Sequence, residues 1–123
     1  MQKYVYKQDN IIYGDIPEYP TKEAMEVFID QYNVLVNNET NARIILNLLN
    51  LKDFPTTETK IMIFKRLKDL RKLTTNDKKA IVVDNLTFKL VLQSILFVAG
   101  HNQQIKYFEQ LENALDWLRS PVF

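Results

Sequence analysis

Short apolar runs alternate along this chain with longer amphipathic segments, and that alternation leaves few folds open to it. Ala42-Arg43-Ile44-Ile45-Leu46-Asn47-Leu48-Leu49 is nearly continuously apolar and bounded by asparagines, as expected of a strand covered on both faces. Lys78-Lys79-Ala80-Ile81-Val82-Val83-Asp84 reads the same way, and Gln104-Ile105-Lys106-Tyr107-Phe108 predicts a last strand. The chain opens as a hairpin: Tyr4 and Tyr6, then Ile11, Ile12 and Tyr13, flank the turn-prone Gln8-Asp9-Asn10. Gly14-Asp15-Ile16-Pro17 and Pro20 then break the strand.

Helices fill the intervals. Thr21 is placed to cap one from Lys22 to about Asn37, with Ala24, Val27, Phe28, Tyr32 and Leu35 at helical spacing. After Pro55, Thr56 or Thr57 can cap a second running to about Leu73, whose buried stripe is Ile63, Phe64, Leu67, Leu70 and Leu73. A third spans Asn85 to Ala99 and stops at Gly100, in the position helices favour for a left-handed cap. Leu111, Ala114, Leu115 and Leu118 mark a short fourth before Pro121. The order ββαβαβαβα with short connections predicts an α/β fold: a mixed, mostly parallel sheet of about five strands with helices packed on it, the opening strand antiparallel.

Size and composition bound the function. With 123 residues and no Cys, one core forms without disulfides, and residues 1–123 read as a single domain. Sixteen Lys+Arg against fifteen Asp+Glu provide no global field for nucleic acid or an anionic membrane. No apolar run approaches the roughly 20 residues that span a bilayer, and the N-terminus has no signal-like stretch, so the expectation is a soluble cytoplasmic protein without membrane insertion.

Few residues offer chemistry. Phosphate-cradling loops need several glycines, and Gly14 and Gly100 are the only two; they read as a strand-end turn and a helix cap. His101, the single histidine, lies in the polar stretch Gly100-His101-Asn102-Gln103-Gln104 with no nucleophile motif, and reads as a solvated loop residue. One His and no Cys leave hardly any metal constellation, so neither metal nor cofactor is expected. Asp84-Asn85 reads as a helix start, and Asn47 supplies no charge for a phosphoaspartate site. Thr56 and Thr57 open a helix where a phosphate would meet the positive end of the dipole; they are the candidate phosphoacceptors, against plain capping. Between Lys60 and Lys79, eight basic residues face two acidic ones, with Lys65, Lys68 and Lys72 on one helix face. No exposed aromatics interleave for base stacking, so this reads as a solvated face and not a nucleic-acid surface.

The segment from Asn85 to Ala99 is apolar almost all the way round. A helix on a sheet needs one apolar stripe, so a second must be covered by neighbouring helices, a second copy of the chain or an apolar ligand. Leu92, Ile95, Leu96 and Phe97 are the candidate face for that contact.

The C-terminal half resembles the SpoIIAA-like, or STAS-like, proteins. The resemblance is carried by Lys79-Ala80-Ile81-Val82-Val83-Asp84, Leu86-Thr87-Phe88, Tyr107-Phe108 and the tail Leu111-Glu112-Asn113-Ala114-Leu115-Asp116-Trp117-Leu118, with Gly14-Asp15-Ile16 earlier. It implies a domain shared in outline by anti-sigma-factor antagonists, sulfate transporter cytoplasmic domains and lipid-binding Sec14-like domains, which bind proteins or small molecules and generally do not catalyse. The antagonists carry a phosphorylated Ser in an Asp-Ser-x-Gly-Leu type segment after the third strand. Here the corresponding Phe54-Pro55-Thr56-Thr57-Glu58 lacks the Asp-Ser and the Gly, and Thr56 and Thr57 stand nearby. The expected function is a non-enzymatic regulatory module acting through contacts with a protein partner or with itself as a homodimer; the alternative is a carrier or sensor of an apolar small molecule.

Overall fold

A computed structural model describes residues 2–70, 76–101 and 104–121. The elements run β1 (Val5–Gln8), β2 (Ile11–Asp15), α1 (Lys22–Asn37), β3 (Arg43–Asn47), α2 (Thr57–Asp69), β4 (Lys78–Val82), α3 (Leu86–Val98), β5 (Ile105–Phe108) and α4 (Leu111–Arg119). This is the expected order. The five strands lie in the sheet in chain order, β1 antiparallel to β2 and each later neighbour parallel.

That strand order decides the layers. Each parallel crossover steps the same way across the sheet, so right-handed connections put α1, α2 and α3 on one face. The core there joins Ile12, Ile44, Leu46, Ile81 and Val83 to Phe28, Ile29 and Tyr32 of α1, Ile63 of α2 and Leu96 of α3. The opposite face holds Ile11, Ile45, Ala80 and Val82, covered by Ala114 and Leu118 of α4. The alternation along each strand supplies both cores.

Local chemistry sets the element ends. Asp9 (φ 53°) and Asn10 (φ 65°) make the left-handed two-residue hairpin turn that Asx residues tolerate best after glycine. Thr21 Oγ1 accepts from Ala24 N (3.2 Å), Thr56 Oγ1 from Thr59 N (3.2 Å) and Asn85 Oδ1 from Phe88 N (3.0 Å). Gly100 (φ 83°) closes α3: its N–H donates to Phe97 O (3.0 Å) and that of His101 to Leu96 O (2.7 Å), the paired bonds of a left-handed helix cap.

Four expectations are corrected. Gly14 does not break the strand but lies within β2, buried beneath the Phe28 ring; a Cβ there would stand 3.0 Å from both Phe28 Cζ and Leu46 Cδ2. The stripe of α1 turns to Met25, Phe28, Ile29, Tyr32 and Val36, leaving Ala24, Val27 and Leu35 half-buried, because the helix also reaches over the edge of β1. α2 ends at Asp69, with Leu70 extended; Arg71, Lys72 and Leu73 lie outside the described residues. Lys78 and Lys79 are no part of a solvated basic face. Both are buried: Lys79 Nζ lies 5.1 Å from the Tyr32 ring centroid, and Lys78 Nζ donates to Trp117 O (3.0 Å) and Ser120 O (3.3 Å), the last carbonyls of α4.

Candidate functional site

Parallel strands with helices between them gather their connections at the carboxyl end of the sheet, where open α/β folds present their binding loops. Here the β2–α1 loop carries Tyr19 and the β3–α2 loop Leu49 and Phe54, all exposed. Exposure of large apolar side chains is not explained by packing, and Tyr19 and Phe54, which line one groove, form an apolar rim. Prolines hold both segments: Pro17 and Pro20 bracket Tyr19, and Pro55 follows Phe54. The Phe54 ring meets Phe88 of α3 edge-on at 4.5 Å, and Lys60 Nζ sits 5.5 Å from its centroid.

Between the starts of α1 and α2 runs an open groove of about 520 Å³, lined by Tyr19, Thr21, Phe54 and Thr56 and crossed by the Lys22–Glu58 ion pair at 3.4 Å. Thr56 is committed to the fold: besides capping α2, its hydroxyl donates to buried Thr59 Oγ1 at 3.0 Å. Thr57 is the first residue of the helix and exposed. The two candidate phosphoacceptors are therefore unequal.

Beneath the rim lies a wholly apolar cavity of about 90 Å³, lined by residues including Ile16, Leu46, Phe54, Phe88, Leu92 and Ile95. The structure thus separates the four residues picked from α3. Leu92 and Ile95 face this cavity, Leu96 is buried in the main core at 3% exposure, and Phe97 projects outward at 67%.

His101 corrects the reading of a solvated loop residue. It is 2% exposed, and its Nε2 donates to the Leu67 carbonyl in the last turn of α2 at 2.6 Å. Asp84 is exposed beside the start of α3, and Asn47 Oδ1 accepts from Leu49 N at 2.9 Å, shaping the loop after β3. Asp15, paired across from Asn47 in the register of β2 and β3, has its pKa raised above 3.8 by burial, a shift the Asn47 side chain opposes by hydrogen bonding. Beside it Tyr6 and Tyr13 stack at 5.2 Å, and burial, then the Asp15 charge, raises the Tyr6 pKa. Among the described residues, no three His, Asp or Glu side chains gather as a metal-binding group, and no helix is long and apolar enough to cross a membrane.

The rim residues escape a reading of the sequence by periodicity, because Tyr19 and Phe54 lie outside the periodic segments. Their signal is an aromatic held among prolines, where a loop cannot fold back to bury it.

The chain matches no protein-family model and no curated protein sequence. Among solved structures it is similar to an anti-sigma-factor antagonist (STAS) domain protein from Planctomyces limnophilus, with a TM-score of 0.53 and 14% identity, covering 94% of this chain and 97% of that one. The architecture is that of a STAS domain, as the tail and strand motifs led one to expect.

Proposed function

We propose that this chain is a non-enzymatic regulatory module, one STAS-like unit over residues 1–123, that acts in the cytoplasm by contact with a protein partner at the rim around Phe54. The observation that carries this reading is the exposure of Tyr19 and Phe54, which line one groove beside the α2 cap. Aromatic side chains fixed at low entropic cost are the usual anchors of protein interfaces. The relative named as an anti-sigma-factor antagonist supports a partner that is itself a protein. A phosphate at this site would go to Thr57, since the Thr56 hydroxyl is engaged in capping; set at the helix start, it would add charge inside the contact surface.

The carrier alternative is the weaker reading. An apolar space of about 90 Å³ is well under the roughly 300 Å³ at which small-molecule pockets begin.

A photo-crosslinking residue placed at Phe54 in the producing cell tests the proposal. The expected result is one discrete adduct, whose protein then binds the purified chain and loses affinity about tenfold or more for Phe54→Ala or Tyr19→Ala. Turnover of a substrate in a broad hydrolase screen, abolished by Ala at His101 or Asp84, would overturn it.

A further inference from the structure

We infer that two copies of this chain pair about a two-fold axis through β5 and α3, joining their sheets edge to edge. This stands apart from the partner reading above, which concerns the Phe54 rim.

The sheet has two edges, and they are treated differently. At β1, α1 overhangs the edge: the outward N–H of Val5 is taken by Gln31 Oε1 at 3.1 Å, and Lys7 forms an ion pair with Glu39. A blocked amide and an edge lysine are standard protections against strand addition. At β5 the bonds to β4 use Gln104 O and Phe108 O, accepting from Lys79 N and Val83 N. Backbone groups alternate sides along a strand, so those of Ile105 and Tyr107 point away from β4, to the side where no strand pairs among the described residues.

Alongside that edge runs the outward face of α3. Leu86 (67% exposed), Leu90 (53%) and Phe97 (67%) fall on one line at helical spacing, with Gln93 between them. α3 has no carboxylate, and its one charged residue, Lys89, turns its Nζ to the Tyr107 ring, 5.5 Å from the centroid. Helix and edge enclose a groove lined by Gln93, Phe97, Ile105 and Tyr107.

The occupant follows from covering both features at once. An extended peptide pairs with β5 but leaves Leu86 and Leu90 in water; a helix covers these and leaves the amides unpaired. A second copy turned by 180° brings a strand edge to the edge and an uncharged helix face to the helix face. A stable dimer needs roughly 800 Å² per partner, and the β5 edge and the α3 face adjoin across one groove, so a single second copy can cover both. Charge selects the register. Setting Ile105 against Tyr107 of the second copy would place the two Lys106 side chains directly opposite, which like charges disfavour. Centring on Tyr107 places Lys106 against Phe108 of the second copy, an aromatic of the kind its Nζ already approaches at 5.7 Å within the chain.

The test is the solution mass of the full chain at micromolar and at near-millimolar concentration, with amide exchange followed on the same samples. The expected result is twice 14.6 kDa for the wild type, with the Ile105 and Tyr107 amides slowed at least tenfold on dimerisation, and 14.6 kDa for Phe97→Glu and for Leu90→Lys. Both substituted positions are exposed, so an unchanged far-ultraviolet spectrum is expected to accompany the loss. A wild type that stays monomeric, a dimer that both variants leave intact, or one in which those two amides exchange as fast as in the monomer would overturn the inference.

Discussion

His101 Nε2 donates to the carbonyl oxygen of Leu67 at 2.6 Å, tying the end of α3 to the last turn of α2. The ring is buried, and the backbone of the same residue closes the α3 cap through Leu96 O. Removing the ring takes one of two donors from the Leu67 carbonyl, which keeps the Leu70 N–H at 3.2 Å, and leaves a void in the buried contact between the two helices. His101→Ala is expected to destabilise the fold by about 2–3 kcal/mol, read as a lowered urea midpoint; an unchanged midpoint would return His101 to the candidates for chemistry.

Lys78 does for α4 what His101 does for α2. Its ammonium satisfies the carbonyls of Trp117 and Ser120 and lies 4.9 Å from the Trp117 ring centroid. Lys78→Met keeps most of the apolar stem and removes the donor, and a loss of about 1.5–3 kcal/mol is expected. Tryptophan fluorescence, reporting on Trp117 itself, should show the tail loosening at lower denaturant than the far-ultraviolet signal of the whole chain.

Gly14 is required by a close approach and not by a turn. An added Cβ meets Phe28 and Leu46 at 3.0 Å, inside normal contact distance. Gly14→Ala should cost about 1–3 kcal/mol by overpacking, and the double variant with Phe28→Leu should recover part of that loss in thermal unfolding.

Thr56 and Thr57 are adjacent in sequence and differ in work. Thr56→Ala loses the α2 cap and the bond to Thr59, for an expected cost of about 1 kcal/mol, while Thr57→Ala should stay within about 0.5 kcal/mol. Equal effects in chemical unfolding would contradict the capping geometry.

Asp15 makes stability depend on pH. Its folded pKa is raised above 3.8 by burial, so the folded state binds the proton more tightly than the unfolded one. The favourable contribution is present below pH 3.8 and lost as pH rises through the folded pKa, leaving a half-buried carboxylate at neutral pH. Asp15→Asn should therefore raise the unfolding midpoint at pH 7, with the gain shrinking to nothing below the ordinary carboxyl range. Removing that charge should also lower the pKa of Tyr6, which Asp15 helps to raise, visible by ultraviolet titration.

Much of this architecture is legible in the order of residues because its causes are local. Alternating apolar runs and amphipathic stretches define strands and helices; Thr21, Thr56, Asn85 and Gly100 mark helix ends through bonds within a few residues; and strands taken in chain order force three helices onto one face. The site was legible only in part. Thr56 and Thr57 stand out as a helix start, but nothing local says which hydroxyl is engaged. The roles of His101, Lys78 and Gly14 were out of reach for one physical reason: each is decided by an atom far along the chain, Leu67 for His101 at a separation of 34 residues, Trp117 for Lys78 at 39, and the Phe28 ring for Gly14. The same holds for α3, whose apolar circumference is plain in its sequence. Only packing against the sheet and α2 determined that Leu96 turns inward while Leu86, Leu90 and Phe97 stay exposed.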